Sequence, residues 1–136
     1  MGLIRDGRLV PDSFTDATCQ ETLPVSGPVI VSLEQWQARR AELVARGAPL
    51  GIRLRSDQSP RAIAADLHHF SVVALEFPKF RDGRAYTHAR LLKERLGYAG
   101  EIRAVGDVLQ EQLHFMQRCG FNAFEIDGPE PEQAWR

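Results

Sequence analysis

The chain has little sulfur. Its two cysteines, Cys19 and Cys119, stand far apart and form no CxxC pair. That excludes a disulfide scaffold and a four-thiolate cluster within one chain, and fits thiols in a reducing compartment. No apolar run approaches the ~20 residues that span a bilayer. The opening residues, MGLIRDGRLVP, carry charges where a secretory signal needs an apolar run, so a cytoplasmic protein is expected. Charge of one sign is also missing. Seventeen Lys and Arg stand against eighteen Asp and Glu, and a net charge of −1 provides no basic field to recruit nucleic acid or an anionic membrane. The glycine-rich phosphate motifs GxGxxG and the P-loop are absent, as is HExxH. His68 and His69 are adjacent, while His88 and His114 fall on different helical segments. No metal ion and no tightly bound flavin, nicotinamide, haem or iron–sulfur cofactor is therefore expected. No catalytic nucleophile–base pair is recognised.

What is present reads as one α/β domain over residues 1–136. Hydrophobic residues make up 43% and charged residues 26%, an ordinary globular balance. A chain of this length can bury a real core. Residues 1–27 read as a hairpin and a long connection, 28–126 as the core, and 127–136 as a turn-rich acidic tail. Asp6-Gly7 predicts the hairpin turn between Ile4 and Leu9, because type I′ turns need positive φ at both central positions.

From residue 28 short apolar strands alternate with helical patterns. Strands are predicted at Pro28–Val31, Leu50–Arg55, Val72–Phe77, Glu101–Val105 and Asn122–Ile126. Ser32-Leu-Glu-Gln35 has the form of a capping box, and Ser59-Pro60 places a cap before a proline at the first helical position. Ala85, Ala89, Leu92 and Leu96 keep helical spacing up to Gly97, and Leu109, Leu113 and Met116 form another stripe. Such alternation implies a mainly parallel sheet of about five strands built from successive βα units.

Alternate positions sort the strands into two faces. Ile52, Leu54, Val73, Leu75, Phe77, Ile102, Ala104, Phe124 and Ile126 share one face. Arg53, Glu76, Arg103 and Glu125 fall on the other, among smaller residues. A sheet covered by helices on both faces has continuously apolar central strands, and these are not. The pattern favours an arc like part of a (β/α) barrel, with a flavodoxin-like sandwich as the alternative. The charged set is either a polar pocket floor or a structural ion-pair ladder. Its face should be covered by the N-terminal segment or by a second subunit, and a homodimer is expected.

The densest cluster of charge is FPKFRDGR, residues 77–84, at a strand-to-helix joint. In parallel α/β sheets functional groups gather at the carboxyl ends of strands. Lys79, Arg81, Asp82, Arg84 and Tyr86, with Asp107 after the neighbouring strand, are therefore the candidate anion- or partner-binding set. The plainer reading is a solvated loop with Asp82 capping the next helix. Asp107 reads first as a helix cap.

Residues 77–126 contain FPxFxDGR, ARLL, GYxGE, RAxGDVL, QL and GFxAF, and this string resembles the uncharacterised bacterial family DUF934. Residues 1–76 match more loosely. The resemblance implies a connection with sulfite reduction, since the family is described as oxidoreductases of that process and its genes often adjoin those of sulfite reductase. The residues that match its motif are Phe77, Pro78, Phe80, Asp82, Gly83, Arg84, Gly106, Asp107 and Gln112. The expected function is an accessory protein of assimilatory sulfite reduction that docks on sulfite reductase or its electron donor. A binder of a sulfur oxyanion and a non-catalytic oligomeric scaffold are the alternatives.

Overall fold

The computed structural model describes residues 2–6, 8–18, 27–77, 83–106, 108 and 112–126. Its strands are β1 (Gly2–Arg5), β2 (Arg8–Val10), β3 (Thr15–Asp16), β4 (Val29–Ser32), β5 (Leu50–Leu54), β6 (Val72–Phe77), β7 (Glu101–Gly106) and β8 (Ala123–Ile126). Helix α1 (Leu33–Ala45) follows β4, a 3₁₀ segment (Pro60–His69) follows β5, α2 (Arg84–Arg90) follows β6, and α3 (Leu113–Cys119) precedes β8.

One curled, half-barrel sheet in the order β2-β1-β8-β7-β6-β5-β4-β3 contains every strand among the described residues. Pairing is parallel from β3 to β8 and antiparallel at β8–β1 and β1–β2. The expected arc is therefore the correct alternative. A flavodoxin-like sandwich is excluded, because β4 to β8 lie in sequence order. The expected count of about five strands was too low. The hairpin adds β1 to β8 through the register Ile4↔Phe124, and Thr15–Asp16 adds an edge beside β4. Neither pairing has a local signal, since both join segments remote in sequence.

Local signals did set the element starts. Ser32 Oγ accepts from the Gln35 amide (3.1 Å), and Gln35 Oε1 accepts from the Ser32 amide (2.7 Å), closing the capping box. Ser59 accepts from the Arg61 amide (3.2 Å), but the segment that follows is 3₁₀ and breaks at Ile63 (φ −120°, ψ 15°), whose side chain is fully buried. Arg5 and Arg8 are register partners and Asp6 between them has φ +53°, while Gly7 lies outside the described residues. Helix α2 ends in a π turn over Leu91–Arg95, where the Leu96 amide donates to Leu91 O (2.9 Å).

The core lies between one sheet face and the helices. Ile52, Leu54, Val73, Leu75, Phe77, Ile102, Ala104 and Phe124 meet Trp36, Leu43, Ile63, Ala85, Ala89, Leu92, Leu113 and Met116 in a single buried cluster. Val72, Ala74, Val105 and Ala123 on the opposite face are also buried but stand outside that cluster. Among the described residues no helix is long and apolar enough to cross a membrane.

Candidate functional site

Strand alternation directs Arg53, Glu76, Glu101, Arg103 and Glu125 onto the face away from the helices. All but Glu125 belong to two ion-pair groups there. Arg103, only 1% exposed, donates from Nε to Glu101 Oε2 (2.7 Å) and from Nη1 to Asp12 Oδ2 (3.1 Å). Arg5 reaches the other Glu101 oxygen at 3.3 Å. Arg53 lies between Glu76 (3.1 Å) and Asp16 (2.9 Å). Each guanidinium thus bridges one carboxylate from the sheet and one from the N-terminal segment.

That segment provides part of the cover expected for this face. Phe14 places its ring 5.9 Å from the Arg103 guanidinium carbon. The Gln35 side chain, while closing the α1 cap, donates to Ala17 O (2.8 Å) and ties the segment to the sheet edge. Asp12, Phe14 and Asp16 have no periodic signal in the sequence, and reading residues 11–27 as a connection missed them. Glu101 shares a strand face with Arg103, which the period of two does indicate.

Glu125 faces the same charges from β8 but makes no ion pair or hydrogen bond among the described residues. Burial raises its pKa above the ordinary carboxylate value; Arg103 and Arg53 oppose the rise, while Asp12 and Asp16 add to it. The folded state then holds a proton that the unfolded state releases. Stability from this proton is complete below the unfolded pKa of ~4.3 and is lost as pH rises through the higher folded pKa. Glu125→Gln should therefore raise the unfolding midpoint at pH 7 and make no difference near pH 4. Melts at the two pH values check this; an equal effect at both would contradict it.

The second group lies where β6 and β7 end. Phe77 and Gly106 are register partners, so the chain leaves both strands at one corner of the sheet's carboxyl edge. Lys79, Arg81, Asp82 and Asp107 lie outside the described residues, as do Pro78 and Phe80. Arg84, exposed at the start of α2, donates to the buried Ser56 hydroxyl (2.9 Å), and His88 Nε2 lies 2.9 Å from Ser56 O. Tyr86 is half-buried, and its hydroxyl donates to Gln112 Oε1 (3.3 Å). Burial, with a contribution from Cys119, pushes the Tyr86 phenol pKa up, so it stays protonated at neutral pH.

The Tyr86 ring stands between two others: Phe77 edge-on at 5.2 Å and Phe115 at 4.8 Å. Phe115, 43% exposed, is one of two exposed large hydrophobics among the described residues. Sequence reading passed over it, although it falls off the buried Leu113–Met116 stripe, and an aromatic off the stripe of an amphipathic helix is the signal for exposure.

A family model described as "Bacterial protein of unknown function (DUF934)" matches residues 51–136, more than half the chain. The protein belongs to DUF934. No curated protein and no solved structure matches it. The match spans both halves of the corner motif, at 77–84 and 106–112, and Arg53, Glu76, Glu101 and Arg103 of the two ion-pair groups. Their N-terminal partners, Arg5, Asp12 and Asp16, lie outside it. Among the described residues of this DUF934 protein no group of three or more His, Cys, Asp or Glu side chains is arranged to hold a metal ion.

Proposed function

We propose that this DUF934 protein is a docking module of assimilatory sulfite reduction, a non-catalytic accessory that binds sulfite reductase or its electron donor. Its contact surface is the corner of Arg84, Tyr86 and Phe115, completed by Lys79, Arg81, Asp82 and Asp107. The observation that supports the reading is the exposed Phe115 ring packed at a tilt against Tyr86 beside the ends of β6 and β7. Aromatic and arginine anchors side by side are the usual composition of a binding hot spot. An exposed phenylalanine there gains little for the free protein and much for a complex.

Charge favours an acidic partner surface. Within 77–119, leaving aside Glu101 and Arg103 on the other face, Lys79, Arg81, Arg84, Arg90, Lys93, Arg95 and Arg118 outnumber Asp82, Glu94, Asp107 and Glu111. Such asymmetry steers encounter and weakens with salt. The link to sulfite reduction rests on the family resemblance. In the same reading the chain is one domain, and its carboxyl edge presents the loops of successive βα units.

Biolayer interferometry against purified sulfite reductase and its electron donor tests the proposal. One of the two should bind, with affinity falling as salt rises. Phe115→Asp and Arg84→Ala should each weaken binding by about thirtyfold, the scale of a hot-spot residue. Both side chains are exposed, so both variants should fold, with Arg84→Ala losing in addition about 1 kcal/mol from its bond to the buried Ser56 hydroxyl. Absence of binding to either protein, or variants that bind like the parent chain, would remove the reading. Heat on titrating sulfite, lost in Arg84→Ala and without any protein partner, would instead assign the corner to a sulfur oxyanion.

A further inference from the structure

The carboxyl ends of β4, β5 and β6 and the N-terminal segment enclose a half-open cavity of about 390 Å³ on the polar face. That volume is within the range of pockets for small organic ligands and too large for a lone ion to fill. Five of its lining residues are charged: Arg53 and Arg55, with Asp16, Glu34 and Glu76.

Both guanidiniums are already committed. Arg53 holds Glu76 and Asp16, while Arg55 holds Glu34 (3.1 Å) and, just outside the lining, Asp57 (3.5 Å). Four carboxylates thus surround two cations. Burial raises the Asp16 pKa, but hydrogen bonds from Thr18 and the charge of Arg53 outweigh it and hold the group below its ordinary value. A backbone hydrogen bond at Glu34 itself, helped by Arg55, lowers that group as well. Both are ionised at neutral pH.

An entering anion could reach the remaining guanidinium N–H groups, but the carboxylates, which outnumber the cations, repel it. An ammonium group brings N–H donors and no acceptor, so it adds to the remaining carboxylate lone pairs without displacing a guanidinium. We propose that this cavity binds a small organic amine, with its ammonium held by the lining carboxylates and its other polar groups within reach of Ser32 and Gln58. The site is formed by strand ends and the N-terminal segment, so it stands or falls independently of the α2–α3 docking corner.

Isothermal titration of the whole chain with ethanolamine, putrescine, agmatine and spermidine tests this, with sulfite and sulfate as anionic probes. At least one amine should bind, the anions should give no heat, and added salt should weaken the amine. Glu76→Gln should lower amine affinity about tenfold or more, through the lost charge-assisted hydrogen bond. Because Glu76 also partners Arg53, Glu34→Gln at the exposed rim is the second variant, and circular dichroism checks that both fold. A weakening in either folded variant supports the site. Failure of all four amines to bind, amine binding unchanged in both variants, or sulfite binding strengthened by them would overturn it.

Discussion

Arg103→Met should lower the unfolding midpoint by about 10 °C or more. The guanidinium is almost completely buried and bonds Glu101 and Asp12. Methionine keeps most of the side-chain length, so lost packing is a minor part of the effect. What remains is Glu101, 8% exposed, whose one other ion-pair partner among the described residues is the half-exposed Arg5. Breaking one side of a buried pair costs ~3–5 kcal/mol, mainly for the charge left behind. In a domain of this size each kcal/mol moves the midpoint by roughly 3–5 °C. Arg103→Met combined with Glu101→Gln should recover much of the loss, because the stranded charge is then gone. Thermal melts of both variants decide the matter. A single variant as stable as the parent chain would mean that water reaches this face freely.

Gly106→Ala should be the most damaging glycine substitution at the carboxyl edge. Gly106 has φ +90°, and an added Cβ would stand 2.5 Å from Phe77 O and 3.2 Å from Phe77 N. Positive φ alone costs a non-glycine residue ~1–2 kcal/mol, and these backbone atoms belong to a paired strand that cannot move aside cheaply. Gly97→Ala separates the two effects. Gly97 has φ +66° but open space around its Cβ position, so only the conformational cost applies. Urea unfolding should therefore place Gly106→Ala well below Gly97→Ala, and equal losses would refute the clash. Because Phe77 and Gly106 anchor the corner proposed for docking, Gly106→Ala should also weaken partner binding under that proposal, whereas Gly97→Ala should leave it intact.

The two faces of the sheet were readable from residues 50–126 because a strand's side chains alternate and half-buried strands keep that alternation. That alternation assigns Arg53, Glu76, Arg103 and Glu125 to one face and Ile52, Val73, Ile102 and Phe124 to the other, as the structure has them. The capping box at Ser32–Gln35 and the tight β1–β2 hairpin were readable for a similar reason, since both depend on contacts between residues no more than three apart.

The 3₁₀ geometry of Pro60–His69 was not readable. Its start has a good cap, but burial of Ile63 bends the backbone there, and tertiary packing overrides propensity.

By itself the sequence determined the class of fold, the face of each core strand and the membership of DUF934, because periodicity and motif spacing are local quantities. Only the tertiary structure decided that the hairpin extends the sheet beside β8, that Asp12 and Asp16 reach Arg103 and Arg53, and that Phe115 joins Tyr86 at the motif corner. Asp12 and Arg103 are 91 residues apart in the chain. A contact over that distance leaves no pattern in either neighbourhood; it exists because closing the sheet brings two half-satisfied charges onto one face, where each is more stable paired than alone.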